Sequence, residues 1–332
     1  MKDARETILA SLQQHLRCPG AKRESLDSSW FRRLTVPLAD ASVLGWLSNQ
    51  ALLPQMYWSA RDHSFEMAGI GIAHRIIARV PMDAVLSDVF ELGNHILQGS
   101  DEGVRFYGGT AFGGGVINAE AWSAFGEVHF VIPRIEVWRD SSGVYLSYNL
   151  HDNEDDKEEA TLAAIIDQVV FSDTLSVETL HPPLARHDRP SETGWTQNVQ
   201  SVLEDFAAGE LSKIVLARES TFDFDHEIHP LSLLNRLRRV TPECFHFFMK
   251  LDEQGAFLGA SPERLYARRG QVIESEAVAG TRPRGGDAAS DANLAEELLN
   301  SEKDSREHAF VRDAIMQGPE PLTADLDIDA SP

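Results

Sequence analysis

Cysteine is nearly absent from this sequence. The 332 residues contain only Cys18 and Cys244, which are too few and too far apart in sequence to form a disulfide framework or a structural zinc site. This usage is typical of a protein from a reducing compartment. Apolar residues make up 42% of the chain, which is enough for a sizeable core, so we expect a soluble, globular protein.

Long hydrophobic runs are also lacking. No segment approaches the length that a transmembrane helix needs. Residues 1–6 mix acidic and basic side chains and lead into an amphipathic stretch, which differs from the apolar centre of a signal peptide. The sequence therefore predicts a cytoplasmic protein without a membrane partner.

Positive charge is scarce. Lysine and arginine together number 30 against 52 aspartate and glutamate residues, which gives a formal net charge of -22. A chain of this charge repels the phosphates of nucleic acids and anionic membrane surfaces. We therefore expect no nucleic-acid partner, and an anionic substrate would need a local basic or metal-bearing site.

The proline-marked residues 181–190 divide the sequence into two regions. We predict an N-terminal region over residues 1–180 and a region with the candidate chemistry over residues 190–332. Apolar periodicity predicts strands at residues 128–137 and 211–218, a helix at residues 195–206 that Gly209 ends, and a long helix at residues 291–316. Pro230 marks the start of another helix.

A lysine stands inside the apolar segment 211–218. Neighbouring Ile, Val and Leu side chains would remove water from Lys213, and loss of hydration favours a neutral amine. The same effect favours a protonated carboxyl group at Glu263, in the turn at residues 260–263. These are the states that a general base and a general acid require. Taken alone, Lys213 is more typical of a lysine that protects an exposed strand edge, and Glu263 of a surface turn.

A third candidate, Glu307, lies in the charged run at residues 301–308. A carboxylate on a rigid helix suits a hard cation such as Mg²⁺. The alternative is an exposed helix face that carries opposite charges. The spacing of His226 and His229 does not match two metal ligands one helical turn apart, and no serine has the sequence context of a hydrolase nucleophile.

Four segments in combination resemble a known family. Residues 213–218, 258–263, 279–281 and 301–308 resemble the chorismate-utilising enzymes, and specifically the isochorismate synthases of the menaquinone type. Upstream, residues 105–109 and 130–134 resemble the N-terminal part of the same family. The resemblance covers most of the chain from about Phe65 onward.

The resemblance implies a fold and a reaction. The fold is α+β, an α/β sandwich with two large packed sheets and outer helices. Lys213 resembles the base that deprotonates water for attack on ring carbon 2 of chorismate, and Glu263 resembles the acid that protonates the departing 4-hydroxyl group. Glu307 resembles a ligand of Mg²⁺, which neutralises the ring carboxylate. Ala279, Gly280 and Thr281 would line the site of the ring.

Two positions favour water over an amine as the nucleophile. The amine-transferring relatives usually have glutamine where this chain has Lys213, and some have a nucleophilic lysine where it has Ala279. The resemblance therefore implies an isomerase that produces isochorismate. Salicylate synthase remains an alternative because it uses much the same residues, and both the menaquinone and the siderophore pathways remain open.

The family's domain continues past the helix that carries Glu307. In relatives, the part that follows contains a second metal-binding glutamate. It also contains an arginine and a glycine-rich loop, both of which bind substrate carboxylate. Residues 319–332 resemble the linker to that part, so we expect a C-terminally incomplete domain. The alternative to an active enzyme is thus an inactive, truncated chain that acts at most as a binding module. We expect a monomer or a weak homodimer.

Overall fold

Two units of unequal size make up the chain in the computed structural model. The first comprises Met1–Pro242 and His246–Ala260, and the second comprises Glu243–Phe245 and Ser261–Pro332. The structure describes residues 2–17, 30–79, 85–112, 122–151, 159–175 and 179–317. Cys18 and residues 319–332 lie outside these ranges.

Helices and strands alternate irregularly along the chain. In order, they are α1 (Lys2–Arg17), β1 (Phe31–Leu38), α2 (Val43–Ser48), β2 (Gln55–Ser59), β3 (Glu66–Ile70), β4 (His74–Ala78), α3 (Leu86–Gly99), β5 (Tyr107–Thr110), β6 (Val128–Ile132), β7 (Ile135–Asp140), β8 (Gly143–His151), α4 (Glu159–Asp167), β9 (Ala185–Arg189), α5 (Glu192–Ala208), β10 (Glu219–Asp223), α6 (Pro230–Val240), β11 (Phe245–Lys250) and β12 (Phe257–Ser261). The second unit continues with β13 (Ala267–Arg269), β14 (Val272–Glu274), α7 (Ala288–Leu299) and α8 (Glu302–Gln317).

A seven-stranded sheet runs through the first unit in the order β1-β8-β7-β3-β2-β11-β12. Its strands are antiparallel from β1 to β11. A three-stranded antiparallel sheet has the order β4-β6-β5. Two strand pairs, β9 with β10 and β13 with β14, complete the described ladders.

The two larger sheets pack face to face. Met56 of β2 and Met67 of β3 are buried against Val131 of β6. On the opposite face of the seven-stranded sheet, α1, α2, α4 and α6 contribute the buried side chains Ile8, Leu12, Trp46, Leu47, Leu162, Ile166 and Leu234. Helix α3 covers the outer face of the small sheet with Val89 and Ile96. The expected α+β sandwich with outer helices is confirmed, although the second sheet has only three strands among the described residues.

Local sequence signals place several helix ends correctly. Helix α5 ends at Gly209, which has a φ of 75°, and glycine adopts this left-handed conformation without a steric penalty. Helix α6 begins with Pro230, where the missing N–H costs no hydrogen bond. The predicted helix at residues 291–316 is instead two helices, because Ser301 caps the start of α8 by accepting a hydrogen bond from the Asp304 N–H over 3.3 Å.

The predicted strand at residues 128–137 is also two strands. Strands β6 and β7 belong to different sheets, and Pro133 and Arg134 lie between them. Proline has no N–H to donate to a ladder, so the pairing of β6 ends before Pro133.

The predicted strand at residues 211–218 is wrong. The ladder begins only at Glu219, which lies opposite Arg189, and no described strand pairs with residues 211–218. The side chains of Ile214 and Val215 are 42% and 81% exposed. A strand forms where a neighbour satisfies its backbone N–H and C=O groups, and apolar sequence alone does not supply that neighbour.

No described helix combines the length and the apolar character needed to cross a bilayer. The sequence passes from the first compact unit to the second after Pro242 and again after Ala260, and it returns to the first after Phe245. The two units do not test the assignment of residues 1–180 and 190–332 to two regions of one family domain, which stays a prediction.

Candidate active site

Glu263 lies in a tight turn of the second unit. Its N–H donates to Ser261 Oγ over 3.2 Å, and the Ser261 hydroxyl donates to the carbonyl oxygen of Glu263 over 3.2 Å. The following Arg264 donates from Nη2 to Glu276 Oε1 over 2.5 Å. This ion pair ties the turn to the segment that leads into Ala279, while the Glu263 side chain is exposed.

Gly280 lies very close to the two C-terminal helices. It has a φ of 82°, and a Cβ atom added there would lie 2.9 Å from Leu298 Cδ1 and 3.1 Å from Asp304 Cβ. Both the backbone conformation and the space therefore require glycine. Because Leu298 belongs to α7 and Asp304 to α8, Gly280 sets the distance between this loop and both helices.

Arg282 fixes the same loop through three hydrogen bonds. It donates from Nε to Glu297 Oε1 over 2.9 Å, from Nη2 to Asp304 Oδ2 over 2.9 Å, and from Nη1 to the Thr281 carbonyl over 3.0 Å. These carboxylates raise the pKa of Arg282. Hydrogen bonds from Ser301 and Arg282 lower the pKa of Asp304. The loop at residues 279–282 is thus held to both helices by charged hydrogen bonds.

Sequence reasoning missed Arg282 and Asp304. Arg282 follows directly after the Gly280–Thr281 pair, and Asp304 precedes Glu307 by three residues. The sequence does show that a basic residue follows the glycine-containing loop and that an acidic residue lies in the charged helix, so the two residues have opposite charges. Only the fold shows that they meet.

Glu307 lies one helical turn after Asp304, on the same side of α8. Its side chain is exposed. The described part of the chain has no group of three or more His, Cys, Asp or Glu side chains arranged to hold a metal ion. Mg²⁺ commonly keeps several waters and binds one or two carboxylates together with substrate oxygens. Glu307 fits such a partial site, and the described residues do not form a complete protein cage.

Lys213 belongs to the first unit and the other predicted residues to the second. It is partly buried in the irregular segment that follows α5. Within the second unit, the contacts of Gly280 and Arg282 bring residues 279–281 to the start of the helix that carries Glu307. The Arg264–Glu276 pair links Glu263 to the same chain segment.

Comparisons with known proteins identify the family. The family described as "Chorismate binding enzyme" matches residues 17–332. Isochorismate synthase MenF of Escherichia coli (strain K12) is 30% identical over 295 residues, which cover 88% of this chain and 63% of that protein. Isochorismate synthase MenF of Pasteurella multocida (strain Pm70) is 27% identical over 289 residues, or 87% of this chain and 61% of that protein. This chain therefore spans about three fifths of these relatives' length.

Solved structures agree on the fold. The structure of MenF, the menaquinone-specific isochorismate synthase of Escherichia coli, matches with a TM-score of 0.74 and 28% identity, over 98% of this chain and 70% of that one. A putative 2,3-dihydroxybenzoate-specific isochorismate synthase, DhbC of Bacillus anthracis, shares the fold with a TM-score of 0.59 and 20% identity, over 86% of this chain and 65% of that one. Since the family match spans residues 17–332 and the architecture agrees, the chain belongs to the chorismate binding enzyme family.

Proposed function

We propose that this chain converts chorismate into isochorismate. The observation that carries the proposal is the similarity to Escherichia coli MenF, an isochorismate synthase, which extends over 98% of the chain in structure and 88% in sequence. Vibriobactin-specific isochorismate synthase of Vibrio cholerae is 38% identical, but over only 126 residues. The longer similarity favours the menaquinone-type enzymes as the model for this reaction.

In the proposed reaction Lys213 accepts a proton from water as the water oxygen attacks ring carbon 2. Glu263 donates a proton to the 4-hydroxyl group as its bond to the ring breaks, and the ring double bonds shift between these two positions. One water is consumed and one is released, so the reaction is an isomerisation. General acid–base catalysis of this kind contributes roughly 10²–10⁴-fold to a rate.

Residues 279–281 would line the ring. Gly280 carries no side chain and allows the ligand to approach the backbone closely, and Thr281 offers a hydroxyl group. The three hydrogen bonds of Arg282 support this role, because a loop fixed in advance loses little conformational freedom when substrate binds.

Mg²⁺ is the proposed cofactor, with Glu307 as one of its ligands. When bound, the cation would neutralise the ring carboxylate of a substrate that the acidic chain otherwise repels. The exposure of Glu307 supports this role, because a carboxylate that faces solvent can reach a hydrated cation and a substrate oxygen together.

Product analysis tests the proposal. The purified chain is incubated with chorismate, with Mg²⁺ or with EDTA, and the products are separated by chromatography. We expect isochorismate with Mg²⁺ only. Salicylate as the sole product would replace the proposed reaction by one that also eliminates pyruvate. If chorismate binds in calorimetry without turnover, the chain is a binding module and the proposed activity is wrong.

A further inference from the structure

Glu263 lies just beyond the open end of a hairpin in the second unit. The hairpin is formed by β13 and β14, and Ala267 with Glu274 is its last backbone pair toward that end. In the part of the second unit that the structure describes, residues 262–266 and 275–280 belong to no strand. The hydrogen bonds of the ladder therefore stop short of the turn that carries Glu263.

Two side-chain contacts join the legs of the hairpin where the ladder has stopped. Ser275 donates from Oγ to the carbonyl oxygen of Leu265 over 2.7 Å. Arg264 donates from Nη2 to Oε1 of Glu276 over 2.5 Å. Both contacts lie within two residues of Glu263, so they hold its turn to the opposite leg in place of backbone pairing.

The contact of Arg264 is the charged one of these two. The side chains of Arg264 and Glu276 are only 26% and 22% exposed, so water and salt screen the pair incompletely, and hydrogen bonds between opposite charges are the stronger kind. Arg269, at the closed end of the same hairpin, is 79% exposed and lies 3.5 Å from Glu274. An exposed pair of that kind contributes little.

The carboxyl group of Glu263 depends on this turn for its position. The hydrogen bonds that Glu263 makes with Ser261 involve its backbone, and its side chain is exposed. Such a side chain reaches the same point in each turnover only if the backbone that carries it stays fixed. A displacement of about 1 Å can lower a rate by roughly 100-fold.

The loop that would line the substrate ring is held separately. Arg282 ties it to Glu297 of α7 and to Asp304 of α8. Loss of the Arg264 side chain would therefore release the turn with Glu263 and leave the ring-lining loop in place. The chemical step and the binding of substrate should respond differently to such a loss.

We propose that Arg264 is a positioning residue for Glu263, and that it acts through its ion pair with Glu276. The pair holds the acid at the distance from the ring that proton transfer requires. This inference rests on the proposed function, because it takes Glu263 as the acid of that reaction.

Steady-state kinetics of isochorismate formation test the proposal. Arg264→Met keeps an unbranched side chain but removes the guanidinium group. We expect kcat to fall about tenfold or more, while KM for chorismate stays within twofold of wild type. Arg264→Lys retains one charged donor for Glu276, so its kcat should lie within threefold of wild type. Arg269→Met is the matched control on the same hairpin and should change neither value.

The partner residue provides a second test of the same pair. Glu276→Gln removes the charge and keeps an acceptor oxygen, so kcat should fall in the same direction as in Arg264→Met, with KM again unchanged. A kcat of Arg264→Met within threefold of wild type overturns the proposal. So does a rise in KM as large as the fall in kcat, because that result would show a general disturbance of the site.

Amide hydrogen exchange separates this inference from the proposed function, since it needs no turnover. Residues 263–266 should exchange at least fivefold faster in Arg264→Met than in wild type, with an unchanged midpoint of urea unfolding, and at the wild-type rate in Arg269→Met. Unchanged exchange in Arg264→Met overturns the inference even in an active chain. If the wild-type chain forms no isochorismate, the proposed function is wrong, and exchange still decides whether Arg264 holds the turn.

Discussion

Nη2 of Arg282 lies 2.9 Å from Oδ2 of Asp304, and the two side chains are only 24% and 13% exposed. The pair joins the loop at residues 279–282 to the first turn of α8. Glu307 follows Asp304 by one helical turn, so the same ion pair fixes the loop proposed to hold the substrate ring relative to the helix proposed to hold the metal. A charged pair of this geometry acts chiefly by positioning.

Gly280→Ala should damage this arrangement. A residue with a side chain at a φ of 82° is strained by roughly 1–2 kcal/mol, and the added Cβ would also press on Leu298 and Asp304. We expect a larger loss of unfolding free energy than for Gly209→Ala, which has a φ of 75° but no atom within 4 Å of an added Cβ. Chemical denaturation of both variants measures the difference. Equal losses would mean that the close contact of Gly280 is unimportant.

Lys213→Ala and Glu263→Gln should each lower the rate of isochorismate formation by roughly 10²–10⁴-fold. Both residues are in contact with solvent, so thermal unfolding should change little. Lys250→Ala and Glu253→Gln are matched controls, because these residues form a 2.6 Å surface ion pair, which contributes about 1 kcal/mol or less. A rate within threefold of wild type in either of the first two variants would remove the role assigned to that residue.

Glu307→Gln should raise the Mg²⁺ concentration that gives half-maximal activity, by roughly tenfold or more, because the amide retains the shape but not the charge of the ligand. Glu302→Gln is the control, since Glu302 is also exposed and belongs to the first turn of the same helix. The measurement is the rate at a series of Mg²⁺ concentrations with saturating chorismate. The same shift in both variants would indicate a general effect of charge and not a ligand.

His246 should make the fold less stable in weak acid. It is 2% exposed, and burial, followed by the charge of Arg238, lowers its pKa. The unfolded chain, with a histidine pKa of about 6.5, therefore binds more protons than the folded chain just below that pH. Above about pH 6.5 His246 does not reduce the free energy of unfolding. Below that pH the free energy of unfolding decreases as the pH falls.

The variant His246→Asn should reduce the pH dependence between about pH 5 and pH 7. His129 contributes in the same direction, since its pKa is also lowered by burial, so some dependence should remain. His95→Asn, at an exposed position on α3, is the control for the exchange of histidine for asparagine. Denaturant unfolding at several pH values measures the slopes. A slope in His246→Asn equal to that of wild type contradicts the prediction.

The sequence was sufficient for features that depend on local chemistry. The left-handed Gly209 and the N-terminal Pro230 correctly marked an end of α5 and the start of α6. The segment at residues 211–218 could not be assigned in this way, because its apolar pattern is the same whether or not a neighbouring strand exists. Pairing is a property of the whole sheet, and the described sheets contain no partner for that segment.

The candidate site shows the same limit. The resemblance supplied Lys213, Glu263, residues 279–281 and Glu307, each from its own motif. It did not indicate Arg282 or the ion pair between Arg264 and Glu276, because long-range ion pairs depend on which loops the fold brings together. Charge patterns within one helix can be read from the sequence, whereas contacts such as that of Arg282 with Asp304 need the packed structure.

A buried network of charged and polar side chains links three strands of the first unit. Arg33 donates from Nη1 and Nη2 to the two oxygens of Glu136 over 2.9 Å each, and the side chains are 3% and 0% exposed. Asn149 completes the network, since it accepts from Arg33 over 3.0 Å and donates to Glu136 over 2.8 Å. These residues join β1, β7 and β8, so the network fixes the register of three strands.

Glu136→Leu should therefore cost about 3–5 kcal/mol of unfolding free energy, because it leaves the charge of Arg33 buried without a partner. The double variant Arg33→Met with Glu136→Leu should recover part of this loss, since no buried charge then remains. Asp40→Ala breaks the exposed pair of Arg139 with Asp40 and should cost about 1 kcal/mol or less. Urea unfolding of the three variants checks the order. A double variant less stable than Glu136→Leu would show that the ion pair contributes more than the avoidance of an unpaired charge.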